Sequence, residues 1–415
     1  MSLARVLRGR VLRPAADRPE IVDAADVVIE IAADGRIDTV RPPRAGDPAE
    51  SMPGCVWLPG FVDAHLHFPQ TRMVGTASGP LLDWLHRTTF PEEARFREPG
   101  LAAAVAARFC TALARHGTTS AAIYSSSDPT ATDLLFRALA DSGLRGLAGL
   151  VLMDRDAPEA LCVPVGPAME ASARLHAAWH GHDGGRLRFV VTPRFGLSCT
   201  PALLRAAGRF ADDHGLLVQT HISENRAEIA ATAAVFPGSA DYLSVYADHG
   251  LLGARTLLAH AIHFSGADWD RVAAVGARVA HCPDSNFFLG SGCMDLSAAQ
   301  SRGVRVGIGT DVGAGRSFSV PRCAALGYDA SLVVGAPQGP AALLWHATRG
   351  GALALGLDGE VGCVDAGYAA DLVAWPLPPE GDPGSAVEHV LFRFDAPPPA
   401  AVLVQGRLVA GALPG

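Results

Sequence analysis

Short runs of apolar residues alternate with longer alanine-rich stretches through the middle of the chain. The runs have the length of buried β-strands, and the stretches between them, such as residues 101–116 and 201–214, have helical spacing. The runs cover residues 58–65, 118–124, 146–153, 189–194, 216–221, 256–260, 278–282 and 304–311. This alternation predicts an α/β fold, a (β/α)8 TIM-type barrel over residues 58–364.

The two ends of the chain have a different pattern. Residues 27–31 and 370–374 are strand-like, and residues 401–409 form a strand–turn–strand pattern. The Asp34-Gly35 pair after the first of these is typical of a hairpin turn. We therefore expect residues 1–57 and 365–415 to form one small β-sandwich domain, with the Pro- and Gly-rich residues 376–384 in a surface loop.

Composition favours a globular protein with a buried core over a membrane or nucleic-acid-binding protein. Hydrophobic residues make up 49% and charged residues 18%, and no apolar stretch reaches the roughly 20 residues of a membrane span. The net charge of -8, with no basic run, argues against phosphate-driven nucleic-acid binding. The 8 cysteines form no CxxC pair, and residues 1–14 lack the apolar core of a secretion signal. These features predict a cytoplasmic protein with reduced cysteines.

All 34 positively charged side chains are arginines, because the chain has no lysine. Schiff-base chemistry, a P-loop for nucleotide phosphate and a carbamate bridge between two metal ions each need a lysine. The composition therefore excludes all three.

Polar residues with ligand chemistry occur at the ends of the predicted strands. They are His65 and His67 on the first, Arg194 on the fourth, His221 on the fifth, His260 on the sixth, His281 on the seventh and Asp311 on the eighth. In a barrel these ends meet at one face, and alternate residues such as His65 and His67 point to the same side. A single histidine is more often structural, but this set predicts a divalent-metal site suited to zinc, with iron and manganese also possible.

Glu224 follows the fifth run closely and has two interpretations. It can carry a proton between water and a leaving group at the metal site. It can equally be a helix-start glutamate that the helix dipole favours, with Glu228 expected to be a solvated neighbour.

Several motifs are similar to those of a known superfamily. Residues 59–67 (PGFVDAHLH), 116–119 (HGTT), 280–286 (AHCPDSN) and 309–311 (GTD) resemble the amidohydrolase superfamily, and the likeness covers nearly the whole chain. Within that superfamily the guanine deaminase family is similar at residues 67–70 (HFPQ), 80–85 (PLLDWL), 89–92 (TFPE), 192–195 (TPRF), 198–199 (SC) and 223–225 (SEN).

The resemblance implies a specific site and reaction. It implies one zinc ion per chain, held by His65, His67, His221 and Asp311. Glu224 would relay protons, Asp311 would first accept the proton of the reacting water, and His260 would hydrogen-bond that water. Gln70, Arg194 and Phe195 would hold the base, with His67, His221, Glu224 and Asp311 bordering it. The implied reaction is hydrolysis of guanine to xanthine and ammonia in purine catabolism, by a homodimer.

Alternatives remain open at this point. Related deaminases act on 8-oxoguanine, a pterin or a triazine, and a scaffold protein without activity would typically have lost ligands that are present here. The other zinc deaminase design needs His-x-Glu and Pro-Cys-x-x-Cys signatures, which the chain lacks.

Single residues also have alternative roles. Arg194 could instead form an ion pair at the barrel rim, and Phe195 could belong to the core. Gly196 would widen the pocket slightly, and neither His263 nor His281 has an assigned role.

Overall fold

A computed structural model describes residues 3–47, 50–76, 79–379 and 383–413. Its strands are β1 Leu3–Pro14, β2 Val22–Ala32, β3 Ile37–Arg41, β4 Glu50–Ser51, β5 Cys55–Pro59, β6 Phe61–His67, β7 Thr118–Tyr124, β8 Arg145–Gly149, β9 Val151–Leu152, β10 Leu187–Phe189, β11 Thr192–Pro193, β12 Val218–Ile222, β13 Thr256–His260, β14 Arg278–His281, β15 Arg305–Ile308, β16 Leu372–Pro376, β17 Ala401–Val404 and β18 Arg407–Gly411.

The helices alternate with these strands. They are α1 Leu81–Trp84, α2 Phe90–Ala94, α3 Pro99–Arg115, α4 Pro129–Ser142, α5 Val165–Trp179, α6 His182–Gly185, α7 Pro201–Asp213, α8 Arg226–Val235, α9 Tyr242–Ala247, α10 Gly266–Val275, α11 Pro283–Phe288, α12 Leu296–Gln300, α13 Val320–Val333, α14 Pro340–Trp345, α15 Gly351–Leu355 and α16 Ala386–Phe392. Within the described ranges, none of these helices has the length and apolar character needed to cross a membrane.

Parallel strands from the middle of the chain form two arcs, ordered β10-β8-β7-β6 and β12-β13-β14-β15, with β11 and β9 paired separately. One junction between the arcs is a parallel bridge from Val191 to Val218. At the other junction the amide of Asp311 donates to the carbonyl of His65 over 2.8 Å, and that of His67 donates to Val312 over 2.7 Å. The fold is therefore mixed α/β, with parallel strands joined by helices.

The third and fourth predicted strands are each interrupted. Residues 146–153 divide into β8 and β9, and the fourth run divides between β10 and β11. A Cβ atom on Gly149 would lie 2.1 Å from the carbonyl oxygen of Val190, so the two backbones approach closely where the strands break. Residues 118–124 and 256–260 were predicted with their observed bounds.

Strands from both chain ends lie in one eight-stranded sheet with the path β18-β17-β16-β5-β1-β2-β3, and β4 pairs with β1. The hydrogen bonding shows this one sheet and does not distinguish two sandwich layers. The pattern of residues 1–57 missed the 12-residue strand β1, and that of the C-terminal part missed α16. Residues 1–2, 48–49, 380–382 and 414–415 of the predicted sandwich and loop lie outside the described residues.

The terminal sheet runs directly into the first strand of the parallel arcs. Only Gly60 separates β5 from β6. Its amide donates to the carbonyl of Asp371 over 2.8 Å, and the next amide, of Phe61, donates to Gly117 over 3.0 Å. A Cβ atom on Gly60 would lie 2.1 Å from Oγ1 of Thr119, so this close crossing requires glycine.

Candidate metal and substrate site

Five predicted ligand-type residues converge at the carboxyl ends of β6, β12 and β13 and just after β15. We call His65, His67, His221, His260 and Asp311 the histidine wall. The Nε2 atoms of His65 and His67 lie 3.3 and 3.4 Å from Oδ1 of Asp311. The Nε2 atoms of His67 and His221 are 3.1 Å apart.

The outer nitrogens of two rings are fixed by hydrogen bonds. Nδ1 of His221 donates to the carbonyl of Arg194 over 2.6 Å, and Nδ1 of His260 donates to Oδ1 of Asn286 over 2.9 Å. These bonds leave the Nε2 lone pairs directed at the cluster. The Nε2 atoms of His65 and His260 are buried without a hydrogen-bond partner.

This donor set fits a metal ion. One ring nitrogen from each of His65, His67 and His221 lies within 4.8 Å of the others, and Asp311 adds a carboxylate. Burial lowers the pKa of all three imidazoles well below the ordinary value, so they stay neutral and keep a lone pair. Neutral imidazoles with one carboxylate are the ligands that zinc and related cations prefer. His65 and His260 also form a second such group, with the buried Cys282.

Backbone strain is concentrated in the histidine wall. His260 and Asp311 have φ of 74° and 50°, and Ser223, beside Glu224, has φ of 50°. Non-glycine residues in the left-handed region are uncommon and persist where surrounding contacts hold them. The strain here falls on the strand ends that present ligand-type side chains.

Asp63 forms hydrogen bonds to the backbone next to the histidine wall. Its only signal in the sequence was its place in the motif of residues 59–67. It is fully buried, and its Oδ1 accepts from the amides of His65 at 3.2 Å and Thr310 at 2.9 Å. Its other oxygen accepts from the Thr310 hydroxyl. Burial raises its pKa to about 7. Asp63 thus ties β6 to the turn that carries Asp311.

Glu224 points into the same cluster. Its Oε2 lies 3.4 Å from Nε2 of His260, and its Oε1 is buried without a partner. Burial, and then the charge of Asp311, raise its pKa well above the ordinary value, which suits a group that takes up and releases a proton.

The expectation that Glu228 is solvated is wrong, because its exposed fraction is 0%. Its Oε2 accepts from the amides of Glu224 at 3.1 Å and Asn225 at 3.3 Å, as part of a capping box at the start of α8. The Asn-x-x-Glu spacing was the sequence signal for this arrangement. Glu228 therefore holds the backbone of Glu224.

The cluster opens into a cavity. Its lining combines the histidine wall with apolar and amide or guanidinium groups: His67, Gln70, Leu81, Trp84, Leu85, Arg194, Phe195, His221, Glu224, His260, Leu289, Asp311 and Ala314. His65 lies just behind this surface. Except for that residue, the structure places every predicted site residue on the cavity lining.

Gln70 and Arg194 lie together in the cavity, and Glu93 of α2 links them. Nε2 of Gln70 donates to Oε1 of Glu93 over 2.9 Å, and Nη1 of Arg194 donates to Oε2 over 2.6 Å. We call Gln70, Glu93 and Arg194 the amide wall. Arg194 does form an ion pair, but a buried one, and the sequence analysis missed its partner Glu93. Phe195 is buried in an apolar cluster, as the core interpretation expects, and it also lines the cavity.

Three other residues from the sequence analysis lie elsewhere. A Cβ atom on Gly196 would lie 2.9 Å from both Thr232 and Tyr242, so its space faces those side chains and the expected widening of the pocket is wrong. The ring of His281 packs near Gly327 of α13, and His263 lies near Gly292. Neither histidine is among the residues that line the cavity.

Comparisons with known proteins agree with this geometry. The Amidohydrolase family matches residues 56–409. The probable guanine deaminase of Deinococcus radiodurans is 41% identical over 79% of this chain and 75% of its own. The guanine deaminase of Escherichia coli K12 is 37% identical over 77% and 73%. A guanine deaminase structure from C. acetobutylicum, with guanine bound in its active site, has a TM-score of 0.92 and 26% identity over 98% of this chain and 100% of its own. The chain therefore belongs to the amidohydrolase family, within its guanine deaminase group.

Proposed function

We propose that this chain is a zinc-dependent hydrolase that converts guanine and water to xanthine and ammonia, a step of purine catabolism. One observation carries the proposal. One cavity is lined by a metal-type cluster and a proton-carrying glutamate on one side and by donors for a purine edge on the other. The guanine deaminase relatives, one of them with guanine bound, support the choice of substrate.

His65, His67, His221 and Asp311 would hold one zinc ion per chain. The unpartnered, buried Nε2 of His65 and the neutral state of the three imidazoles support this assignment. When bound, the ion would lower the pKa of water toward neutrality and so supply a nucleophile. Asp311, whose Oδ1 lies 3.3 and 3.4 Å from Nε2 of His65 and His67, would accept the first proton.

Glu224 would move protons at the substrate. C2 of an aromatic ring resists attack, so the ring nitrogen beside it must gain a proton as oxygen adds. Glu224 would deliver that proton, then take the hydroxyl proton of the adduct and pass it to the amino group, which leaves as ammonia. The proton held by Asp311 would then restore Glu224 for the next turnover. His260, whose Nε2 lies 3.4 Å from Oε2 of Glu224, would accept a hydrogen bond from the attacking water and keep it oriented.

The amide wall would orient the base. Arg194 offers a planar fork of N–H donors suited to the guanine carbonyl oxygen. Gln70 can both donate and accept along a purine edge. Phe195, with Trp84 and Leu85 on the cavity lining, offers apolar surface for the ring faces.

We also infer the architecture around the site. The two parallel arcs, joined at both ends, support a closed (β/α)8 barrel over residues 58–364. The terminal sheet supports a small β domain from residues 1–57 and 365–415. The family resemblance supports a homodimer in the cytoplasm, and sedimentation analysis of the purified chain tests the dimer.

An ammonia-release screen tests the substrate. It compares guanine with 8-oxoguanine, isoxanthopterin, melamine, adenine and cytosine at equal concentration. We expect the highest kcat/KM for guanine. If another compound has a higher kcat/KM, that compound replaces guanine as the proposed substrate. If none of the six compounds releases ammonia, the proposed reaction is overturned.

The metal assignment has its own test. We expect His221→Ala to lose both bound metal and turnover, because it removes a ligand from the cluster. Elemental analysis of the variant beside the wild-type chain measures this. Full metal content in His221→Ala would remove His221 from the ligand set.

A further inference from the structure

Glu93 is a buried carboxylate that does not line the cavity. It lies on α2 with an exposed fraction of 5%, behind Gln70 and Arg194. Each of its oxygens accepts from one of these two side chains, at 2.9 and 2.6 Å. A buried carboxylate without such partners would be strongly destabilising, so all three groups depend on one another.

Glu93 fixes which way the amide of Gln70 faces. Oε1 of Gln70 accepts from the amide of Gly313 over 3.1 Å, while its Nε2 donates to Glu93. If the amide were flipped, its NH2 group would face the N–H of Gly313 and its oxygen would face the carboxylate of Glu93. Both contacts are repulsive, so only the observed orientation is stable. The cavity is therefore left with one free N–H and one free acceptor position on Gln70.

Glu93 also balances the charge of Arg194. The guanidinium lies over the ring of Phe90, 5.3 Å from its centroid, and is buried with the Glu93 carboxylate. An unbalanced buried guanidinium would attract a carboxylate or phosphate as its bidentate partner. With Glu93 in place, the Arg194–Glu93 pair has no net charge. The remaining N–H groups of Arg194 can therefore donate hydrogen bonds to a ligand, but the pair does not attract an anion.

We propose that Glu93 is a positioning residue that makes the cavity select a neutral carbonyl-bearing heterocycle over an anionic one. It does so by orienting the Gln70 amide and by neutralising Arg194. The inference rests on the proposed function, since it assigns the amide wall to the carbonyl edge of the base.

Calorimetric binding of two purines tests the inference without any turnover. Hypoxanthine carries a neutral carbonyl at position 6, and purine-6-carboxylate carries an anion at the same position. The variants are Glu93→Gln, which removes the charge, and Glu93→Asp, which keeps it on a shorter side chain. Glu92→Gln is the matched control, because Glu92 is adjacent on α2 and pairs with Arg72 and Arg95 outside the cavity.

We expect the wild-type chain and Glu92→Gln to bind hypoxanthine in preference to purine-6-carboxylate. In Glu93→Gln that preference should fall by about tenfold or more, as expected when a buried charge loses its partner. Glu93→Asp should lower the affinity for both ligands but retain the preference for hypoxanthine. An unchanged preference in Glu93→Gln, or an equal fall in Glu93→Asp, would overturn the inference.

Steady-state kinetics with guanine give a second readout. In Glu93→Gln we expect KM to rise about tenfold, with kcat and metal content changing much less, because the histidine wall is intact. A fall in kcat with KM unchanged would contradict a positioning role. If the wild-type chain does not turn over guanine at all, the proposed function fails, whereas the binding preference still tests Glu93.

Discussion

The histidine wall and the amide wall face the same cavity but are built differently. Four of the five residues of the histidine wall are the last residue of a strand or lie one or two positions before it, and the fifth, Asp311, comes three residues after β15. In the amide wall, Gln70 lies on a 3-10 turn after β6, Arg194 follows the two-residue strand β11, and Glu93 lies on the five-residue helix α2. Side chains on short turns depend on each other for position, whereas strand ends are positioned by the sheet.

This difference predicts that substitutions in the two walls impair the protein in two different ways. Loss of a residue in the histidine wall should remove metal or chemistry. Loss of a residue in the amide wall should weaken substrate binding and leave the metal in place. Each of the following variants tests whether the two walls are independent in this sense.

Glu224→Gln should have the largest effect on turnover. The amide cannot carry a proton, so we expect kcat to fall by about 10²–10⁴-fold with metal content unchanged. Ammonia release and elemental analysis measure both. Glu228→Gln is the control, because that side chain is also buried but bonds to the backbone amides of Glu224 and Asn225 and does not line the cavity, so kcat should fall far less. Near-normal turnover in Glu224→Gln would exclude Glu224 from the chemistry.

Asp63→Asn should weaken the metal site. The substitution alters the hydrogen bonds that tie His65 to Thr310, and comparable changes behind metal ligands cost about 10–100-fold in affinity. Competition with a chromogenic chelator measures this. Asp154→Asn is the control, because this half-buried aspartate accepts from the amide and hydroxyl of Thr200 and does not line the cavity, so metal affinity should stay at the wild-type level. Equal losses in both variants would show a general loss of stability.

Arg194→Lys should have the smallest effect and should act on binding. A lysine keeps the charge but loses the planar fork, so we expect KM for guanine to rise about tenfold. Metal content should not change. The measurement is steady-state kinetics with elemental analysis on the same preparation. Loss of metal in this variant would show that the two walls are not independent.

The strand-end residues could be predicted because each comes directly after an apolar run. His221 and Asp311 needed only the strand pattern and the rule that strand ends share a face. Glu93 could not be predicted, because residues 92–93 are two adjacent glutamates in one helical turn. Only the packing of α2 decides that Glu93 is buried and Glu92 pairs with surface arginines. Glu228 was assigned wrongly, since first-turn glutamates are usually exposed.

The strand breaks near Gly149 were missed for a related reason. An apolar run does not reveal where another backbone crosses it, and here the crossing partner is the carbonyl of Val190, about forty residues away along the chain. The terminal sheet was predicted in outline, because strand patterns occur at both ends. Its strand order could not be predicted, since it depends on which edge each strand reaches.

The single glycine between β5 and β6 has a thermodynamic consequence. Gly60 is the one residue between the terminal sheet and the strand that carries His65 and His67. Because this connection is so short, the two regions should unfold together as one cooperative unit. An ion that binds only the folded cluster stabilises whatever unfolds with it. Hydrogen exchange in β16 and β17, which contribute no residue to the cavity lining, should therefore report metal occupancy. Weakening of the C-terminal strands should lower the fraction of chains able to hold the ion.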